Sequence, residues 1–82
     1  MERVNLAVIG AGFWGRNHVR VLSELDGCEV VSVCDIDLER AKRVAEAFRV
    51  PRYTSDYREL CSDESIDAVT VCTPSKIGRA HV

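Results

Sequence analysis

The sequence predicts an α/β domain built on a doubly wound parallel sheet that breaks off after its fourth strand. Three observations lead there. Short runs rich in β-branched residues alternate with stretches of helical periodicity, in the order β-α-β-α-β-α-β. The runs are apolar at nearly every position, which suits strands covered on both faces. Glycines cluster directly after the first run, where a parallel sheet must turn into its first crossover helix. No repeat, linker or low-complexity tract interrupts the order, so a single domain with right-handed crossovers and strand order 3-2-1-4 follows.

Val4 to Ile9 (V-N-L-A-V-I) is the first strand. Gly10, Gly12 and Gly15 follow it, and Val19, Leu22 and Leu25 then recur at helical spacing on a segment ended by Asp26-Gly27. Glu29 to Cys34 is β-branched and closes on Asp35, which marks the second strand. Asp37 is placed to cap a helix with Leu38, Ala41, Ala45 and Phe48 on its buried face and Glu39, Arg40, Lys42, Arg43 and Glu46 on the solvated one, stopped before Pro51. Arg52 to Thr54 reads as a short third strand, and Asp56-x-x-Glu59 as a capping box opening a brief helix with Tyr57, Leu60 and Cys61. Ile66 to Cys72 is the fourth strand, ended by Thr73-Pro74.

Composition narrows the function. With 82 residues, 46% hydrophobic and 29% charged, the chain has the make-up of a globular domain rather than a disordered one. The 11 Lys+Arg against 13 Asp+Glu leave a formal charge of -2, which speaks against a nucleic-acid or anionic-lipid partner. No apolar run has the length of a membrane span, and the positive n-region of a secretory signal is missing ahead of Val4, so the expected location is cytoplasmic. Cys28, Cys34, Cys61 and Cys72 form no C-x-x-C pair. Buried, reduced thiols are therefore expected rather than a zinc site or disulfides, and no metal is assigned.

The chemistry concentrates after the first strand. Gly10-Ala11-Gly12-Phe13-Trp14-Gly15 matches G-x-G-x-x-G, whose first glycine permits a tight turn, whose second lets a pyrophosphate approach the backbone, and whose third lets the helix pack on the sheet. The first-turn N–H groups lack intrahelical acceptors and, with the helix dipole, favour an anion. Asp35 ends the next strand, where a carboxylate can accept hydrogen bonds from the ribose hydroxyls of NAD and disfavour the 2′-phosphate of NADP. The alternative role for Asp35 is a helix N-cap, for which Asp37 competes. Arg40 either meets adenine or a 2′-phosphate, or is simply solvated. Phe13 and Trp14 occupy the variable loop positions, with Trp14 expected at the cofactor mouth. His18, three residues beyond Gly15, could face the cleft but is read as a packed or hydrogen-bonded bystander near the helix start. Cys72, Thr73 and Pro74 end the fourth strand beside the first, at the crevice where such sheets bind ligands, and are expected to contact ribose or nicotinamide.

Four blocks in order, A-V-I-G-A-G-F-W-G, V-C-D-I-D-L-E-R-A, V-P-R-Y-T-S-D-Y-R-E-L and I-D-A-V-T-V-C-T-P, resemble the Gfo/Idh/MocA family of NAD(P)-dependent oxidoreductases. The resemblance runs from about Val4 to Ser75, and the Phe13-Trp14 variant with Asn17-His18 is similar to the branch acting on sugar nucleotides such as UDP-N-acetyl sugars. It implies a Rossmann-like domain that binds NAD, hydride transfer to or from a sugar or sugar-nucleotide carbon, and a homo-oligomeric intact protein. It also implies that the catalytic lysine of a Glu-Lys-Pro block and the substrate domain lie outside this sequence. Residues 1–75 are thus expected to be an incomplete dinucleotide-binding domain, inactive alone. Residues 76–82 depart from the family pattern, and Ile77 to Val82 is also the translation of ATC-GGA-AGA-GCA-CAC-GTC, a string resembling a sequencing-library adaptor, so this tail is read as non-native. Two rival readings are a methyltransferase, disfavoured by the three-glycine spacing, and a free-standing NAD-binding sensor.

Overall fold

A computed structural model describes residues 3–72, without the side chains of Phe13 and Trp14. Its elements are β1 (Val4–Ile9), α1 (Phe13–Ser23), β2 (Cys28–Cys34), α2 (Leu38–Ala47), β3 (Arg52–Thr54), α3 (Tyr57–Cys61) and β4 (Ala68–Val71). All strand pairs are parallel, in the order β3-β2-β1-β4. The central position of β1 follows from its sequence: Leu6, Ala7 and Val8 are buried, as a strand flanked on both edges and covered on both faces requires.

Two small cores lie on opposite faces of the sheet. Val8, Val30 and Val33 pack with Val19 of α1 and with Ala41, Val44 and Ala45 of α2. Ala7 and Cys34 pack with Leu60 of α3, bordered by Ile9 and Ile66. Val30 and Val33 are three residues apart yet share a face, which strict alternation forbids. The register resolves this: Leu6 pairs with Val30 but Ala7 with Ser32, so Val31 has no partner and the parity of β2 changes there.

Several element ends differ from those expected. α1 stops at Ser23, and Leu25 lies exposed beyond it. The N–H groups of Glu24 and Leu25 bond three residues back, to Val21 and Leu22, and Gly27 at φ 85° then turns the chain into β2. Leu38, expected on the buried face, is 47% exposed as the first residue of α2, and Val44, which the periodic reading does not include, is buried with Ala41 and Ala45. α2 ends in a Schellman motif, with the Val50 N–H donating to the Ala45 carbonyl at 2.8 Å and Arg49 left-handed at φ 59°. The capping box before α3 closes only in part. The Asp56 carboxylate accepts the Arg58 N–H, but the Asp56 N–H donates to the Thr54 hydroxyl rather than to Glu59. Tyr57 and Cys61 are exposed, and Leu60 alone of that helix is buried. β4 spans only Ala68–Val71, shorter than the expected Ile66 to Cys72, although the Asp67 N–H and the Cys72 N–H still donate to β1 carbonyls, of Asn5 and Ile9, and Val71 on it is 62% exposed.

The expectation of uniformly buried thiols needs correction. All four cysteines are free, but only Cys34 is buried, Cys28 and Cys72 are half-buried and Cys61 is exposed. Cys34 and Cys72 end strands lying on either side of β1, two strand spacings apart, which exceeds disulfide reach.

Candidate functional site

The carboxyl ends of β1, β2 and β4 converge on the glycine-rich loop. Gly10 has φ 98°, a conformation that glycine adopts without strain, and its N–H donates to the Cys34 carbonyl at 2.7 Å, tying the turn to β2. Gly15 serves packing: a Cβ there would collide with the Gly10 carbonyl, so α1 starts against the loop only because this residue has no side chain. Gly12 is different. It is the N-cap of α1 at φ -75°, accessible to any residue, and a Cβ built on it meets no atom of the described residues beyond its chain neighbours within 4 Å. Neither backbone strain nor packing against the described residues calls for glycine at this position.

The first intrahelical bond of α1 runs from the Arg16 N–H to the Gly12 carbonyl at 2.8 Å. The N–H groups of Phe13, Trp14 and Gly15 precede it and lack intrahelical acceptors. No acidic residue stands in the first turn, so the positive end of the helix dipole is not offset from within the helix. The side chains of Phe13 and Trp14, and residues Thr73 and Pro74, all expected near the cofactor, lie outside the described residues.

Asp35 is 7% exposed and does not cap α2. One carboxylate oxygen accepts the Ala11 N–H at 2.7 Å and the other the Asp37 N–H at 2.8 Å, so the side chain clasps the glycine-rich loop to the end of β2. Asp37 is the cap, accepting from the N–H groups of Glu39 and Arg40. Arg40 has a guanidinium nitrogen 3.9 Å from Asp35 and another 3.9 Å from Asp37, so it is drawn inward rather than only solvated. With Ala11, Gly12, Arg16, Arg43 and Val44 it lines a cleft of about 520 Å³ between the loop and α2. Arg43 was assigned by periodicity to the solvated face, and Arg16 was not singled out. The signal available was Arg16 directly after the last glycine and Arg43 one turn beyond Arg40.

Cys72 joins the site from β4. Its N–H donates to the Ile9 carbonyl at 2.7 Å, and its Sγ lies 3.3 Å from Nδ1 of His18 on α1. Burial pushes the Cys72 thiol up, and which of the two groups donates is set by the imidazole tautomer. His18 is thus hydrogen-bonded, within the range of roles expected for it, and helps hold the end of β4 to α1.

A parallel sheet with a glycine loop feeding a helix N-terminus, and an acid at the end of the second strand, defines a Rossmann-fold, dinucleotide-binding protein. The pattern of one such family, oxidoreductases with an NAD-binding Rossmann fold, matches residues 4–82. The chain belongs to this family, Gfo/Idh/MocA. It is 35% identical over 82 residues to D-apiose dehydrogenase of Paraburkholderia graminis, covering 100% of this chain and 22% of that protein. It is 41% identical over 80 residues to inositol 2-dehydrogenase of Acidothermus cellulolyticus, covering 96% and 24%. The crystal structure of myo-inositol dehydrogenase from Lactobacillus casei, in complex with NAD(H) and myo-inositol, superposes with a TM-score of 0.81 at 40% identity, over 87% of this chain and 22% of that one. The chain therefore spans less than a quarter of these relatives. No described helix is long and apolar enough to cross a membrane.

Proposed function

We propose that this chain is the cofactor-holding part of a cytoplasmic dehydrogenase acting on a sugar or polyol, with NAD as cofactor in preference to NADP. The observation that carries the reading is Gly12, whose missing side chain opens space at the mouth of α1 that no atom of the described residues fills. A pyrophosphate there meets the N–H groups of Phe13, Trp14 and Gly15. Asp35 is the acceptor for the ribose hydroxyls, since each carboxylate oxygen has a second lone pair beyond the one its backbone N–H takes. Cys72, Thr73 and Pro74 border the nicotinamide half. When bound, the nicotinamide supplies hydride exchange with a substrate carbon. The residues of this chain bind and orient: Gly10 and Gly15 fix the loop, Asp35 holds it to β2, and Cys72 with His18 anchors β4.

The names of the relatives, inositol and apiose dehydrogenases, support a free sugar or polyol as substrate. The sugar-nucleotide reading rests on Phe13-Trp14 and Asn17-His18 alone. In the intact protein, a homo-oligomer with its substrate domain and catalytic lysine elsewhere is proposed. Residues 1–75 are its native part and 76–82 an adaptor-derived tail. Genomic DNA read across codon 75 tests this: a frame continuing to Glu-Lys-Pro supports it, and one that runs on through Ile-Gly-Arg-Ala-His-Val refutes the tail. Calorimetric titration of the chain with NAD tests the cofactor reading, and absence of binding to a folded chain overturns it.

A further inference from the structure

The register of β2 places a polar side chain where the sheet is covered. Ser32 pairs with Ala7 of β1 on one side and Arg52 of β3 on the other, and it shares its face with Cys34, which packs against Leu60 of α3. The slip at Val31 puts it there, since strict alternation from Val30 would turn it toward α1 and α2. Ser32 is 3% exposed, and its hydroxyl bonds to no described residue. A buried hydroxyl without a partner is unfavourable and uncommon. This one borders a cavity of about 300 Å³ between β2, β3 and α3, lined also by Arg52, Thr54, Glu59, Leu60 and Asp63.

The charges around the cavity do not balance. Arg52 donates to one Asp63 oxygen at 2.8 Å, and the other accepts from the Ser65 N–H and hydroxyl, so that pair is satisfied within the protein. Glu59 makes no ion pair with a described residue. Its charge reaches the sheet: burial, and then Asp35, Asp56 and Glu59, push the Cys34 thiol up.

We propose that this cavity binds a small primary amine as its ammonium ion, with Glu59 supplying the opposite charge and Ser32 an acceptor at the buried end. An ammonium group is compact, carries one positive charge and has three N–H donors, which suits one unpaired carboxylate and one unpartnered hydroxyl. An anion would meet the excess negative charge. No three His, Cys, Asp or Glu side chains among the described residues gather as metal ligands do, which favours an N–H donor over a metal ion. The site lies on the α3 face of the sheet and does not depend on the dinucleotide reading.

The full chain is titrated at fixed salt with n-propylammonium and, separately, with tetramethylammonium, following the backbone amides by NMR. Propylammonium should bind saturably with a Kd of about 1 mM, the range open to a ligand of few atoms, and shift the amides of Ser32, Thr54 and Leu60 most. Tetramethylammonium has the charge but no N–H donor and should bind about tenfold more weakly or less. Exposed Glu59 can be replaced without touching the core, and Glu59→Gln should weaken propylammonium about tenfold, as Ser32→Ala should about fivefold. Glu46→Gln, which removes the same charge from α2 on the opposite face, should not weaken it. Ser32→Ala should also keep or raise the urea midpoint, because it removes no hydrogen bond; a clear fall would show the hydroxyl to be structural and overturn its role as acceptor. The proposal is overturned if the folded chain shows no saturable propylammonium binding, if both cations bind equally, or if Glu59→Gln and Ser32→Ala bind as wild type does. NAD titrated in parallel keeps the two readings apart, since NAD binding without propylammonium binding overturns this site alone.

Discussion

Gly12→Ala and Gly15→Ala should separate glycine kept for a ligand from glycine kept for the fold. At Gly15 the added methyl would occupy the position of the Gly10 carbonyl, which is backbone and cannot rotate aside, so α1 must retreat from the loop. Overpacking of this kind costs about 1 to 3 kcal/mol or more. Against a total of about 4 to 12 kcal/mol for a domain of this length, the urea midpoint should fall clearly. At Gly12 the same methyl meets nothing within 4 Å among the described residues and φ -75° suits alanine. The poorer N-cap and the reduced freedom of the unfolded chain oppose each other, leaving stability within about 0.5 kcal/mol of wild type. NAD affinity should respond the other way. A methyl in the path of the pyrophosphate costs at least one charge-assisted hydrogen bond, about 1.5 to 3 kcal/mol, or roughly 10- to 100-fold in Kd. Urea titration followed by circular dichroism gives the first quantity and calorimetric NAD titration the second. The reasoning is refuted if Gly12→Ala binds NAD as wild type does, or if Gly15→Ala unfolds at the wild-type midpoint.

Asp35→Ala should lower stability as well as the NAD:NADP affinity ratio, because it strands the N–H groups of Ala11 and Asp37; a loss of about 2 kcal/mol or more in urea melts is expected, and an unchanged ratio would remove Asp35 as the ribose acceptor. Arg49→Gly should stabilise the chain by about 1 kcal/mol by relieving the left-handed backbone at the end of α2, measured by the same melts. Native-state alkylation followed by mass spectrometry should label exposed Cys61 first and Cys34 last, since burial and then the charges of Asp35, Asp56 and Glu59 push the Cys34 thiol up; an intrachain Cys34–Cys72 bridge in native protein would contradict the strand order. Asp56, held below the usual carboxylate range by Arg58, and Asp63, held there by Ser65 and then Arg52, add stability that is complete above about pH 4 and is lost as pH falls through their lower folded values. Asp63→Asn should flatten that acid limb. The chain alone should oxidise no sugar and turn over no NADH, and turnover by the purified chain would overturn the assignment of the proton acceptor to sequence outside it.

The fold was legible because each strand announced itself chemically. V-N-L-A-V-I and the β-branched run ending at Cys34 suit a covered parallel sheet and are buried at their centres, whereas the run ending at Cys72 has the same character yet leaves Ala68, Val69 and Val71 exposed on the edge strand β4. The loop and Asp35 were legible for the same reason: their spacing is dictated by one turn of backbone and one crossover, which are local. Helix ends were less so. Leu25 and Leu38 obey the periodicity yet lie about half exposed, Leu25 beyond the end of α1 and Leu38 as the first residue of α2.

What the sequence by itself determined is the order of elements, their parallel pairing and the position of an anion-binding loop, since all three depend on periodicity and short-range sterics. Tertiary structure alone decided which side chains meet. The slip at Val31 that returns Val33 to the face of Val30 is an accommodation between two strands, visible only in their register. The clasp of Asp35 on Ala11, the Cys72–His18 contact, and the convergence of Arg16 with Arg40 and Arg43 join residues that are distant in the chain. Periodicity assigns a residue to one face of its own helix, but where that face borders a cleft depends on how a second helix packs beside it, and that is set by the sheet face on which both lie.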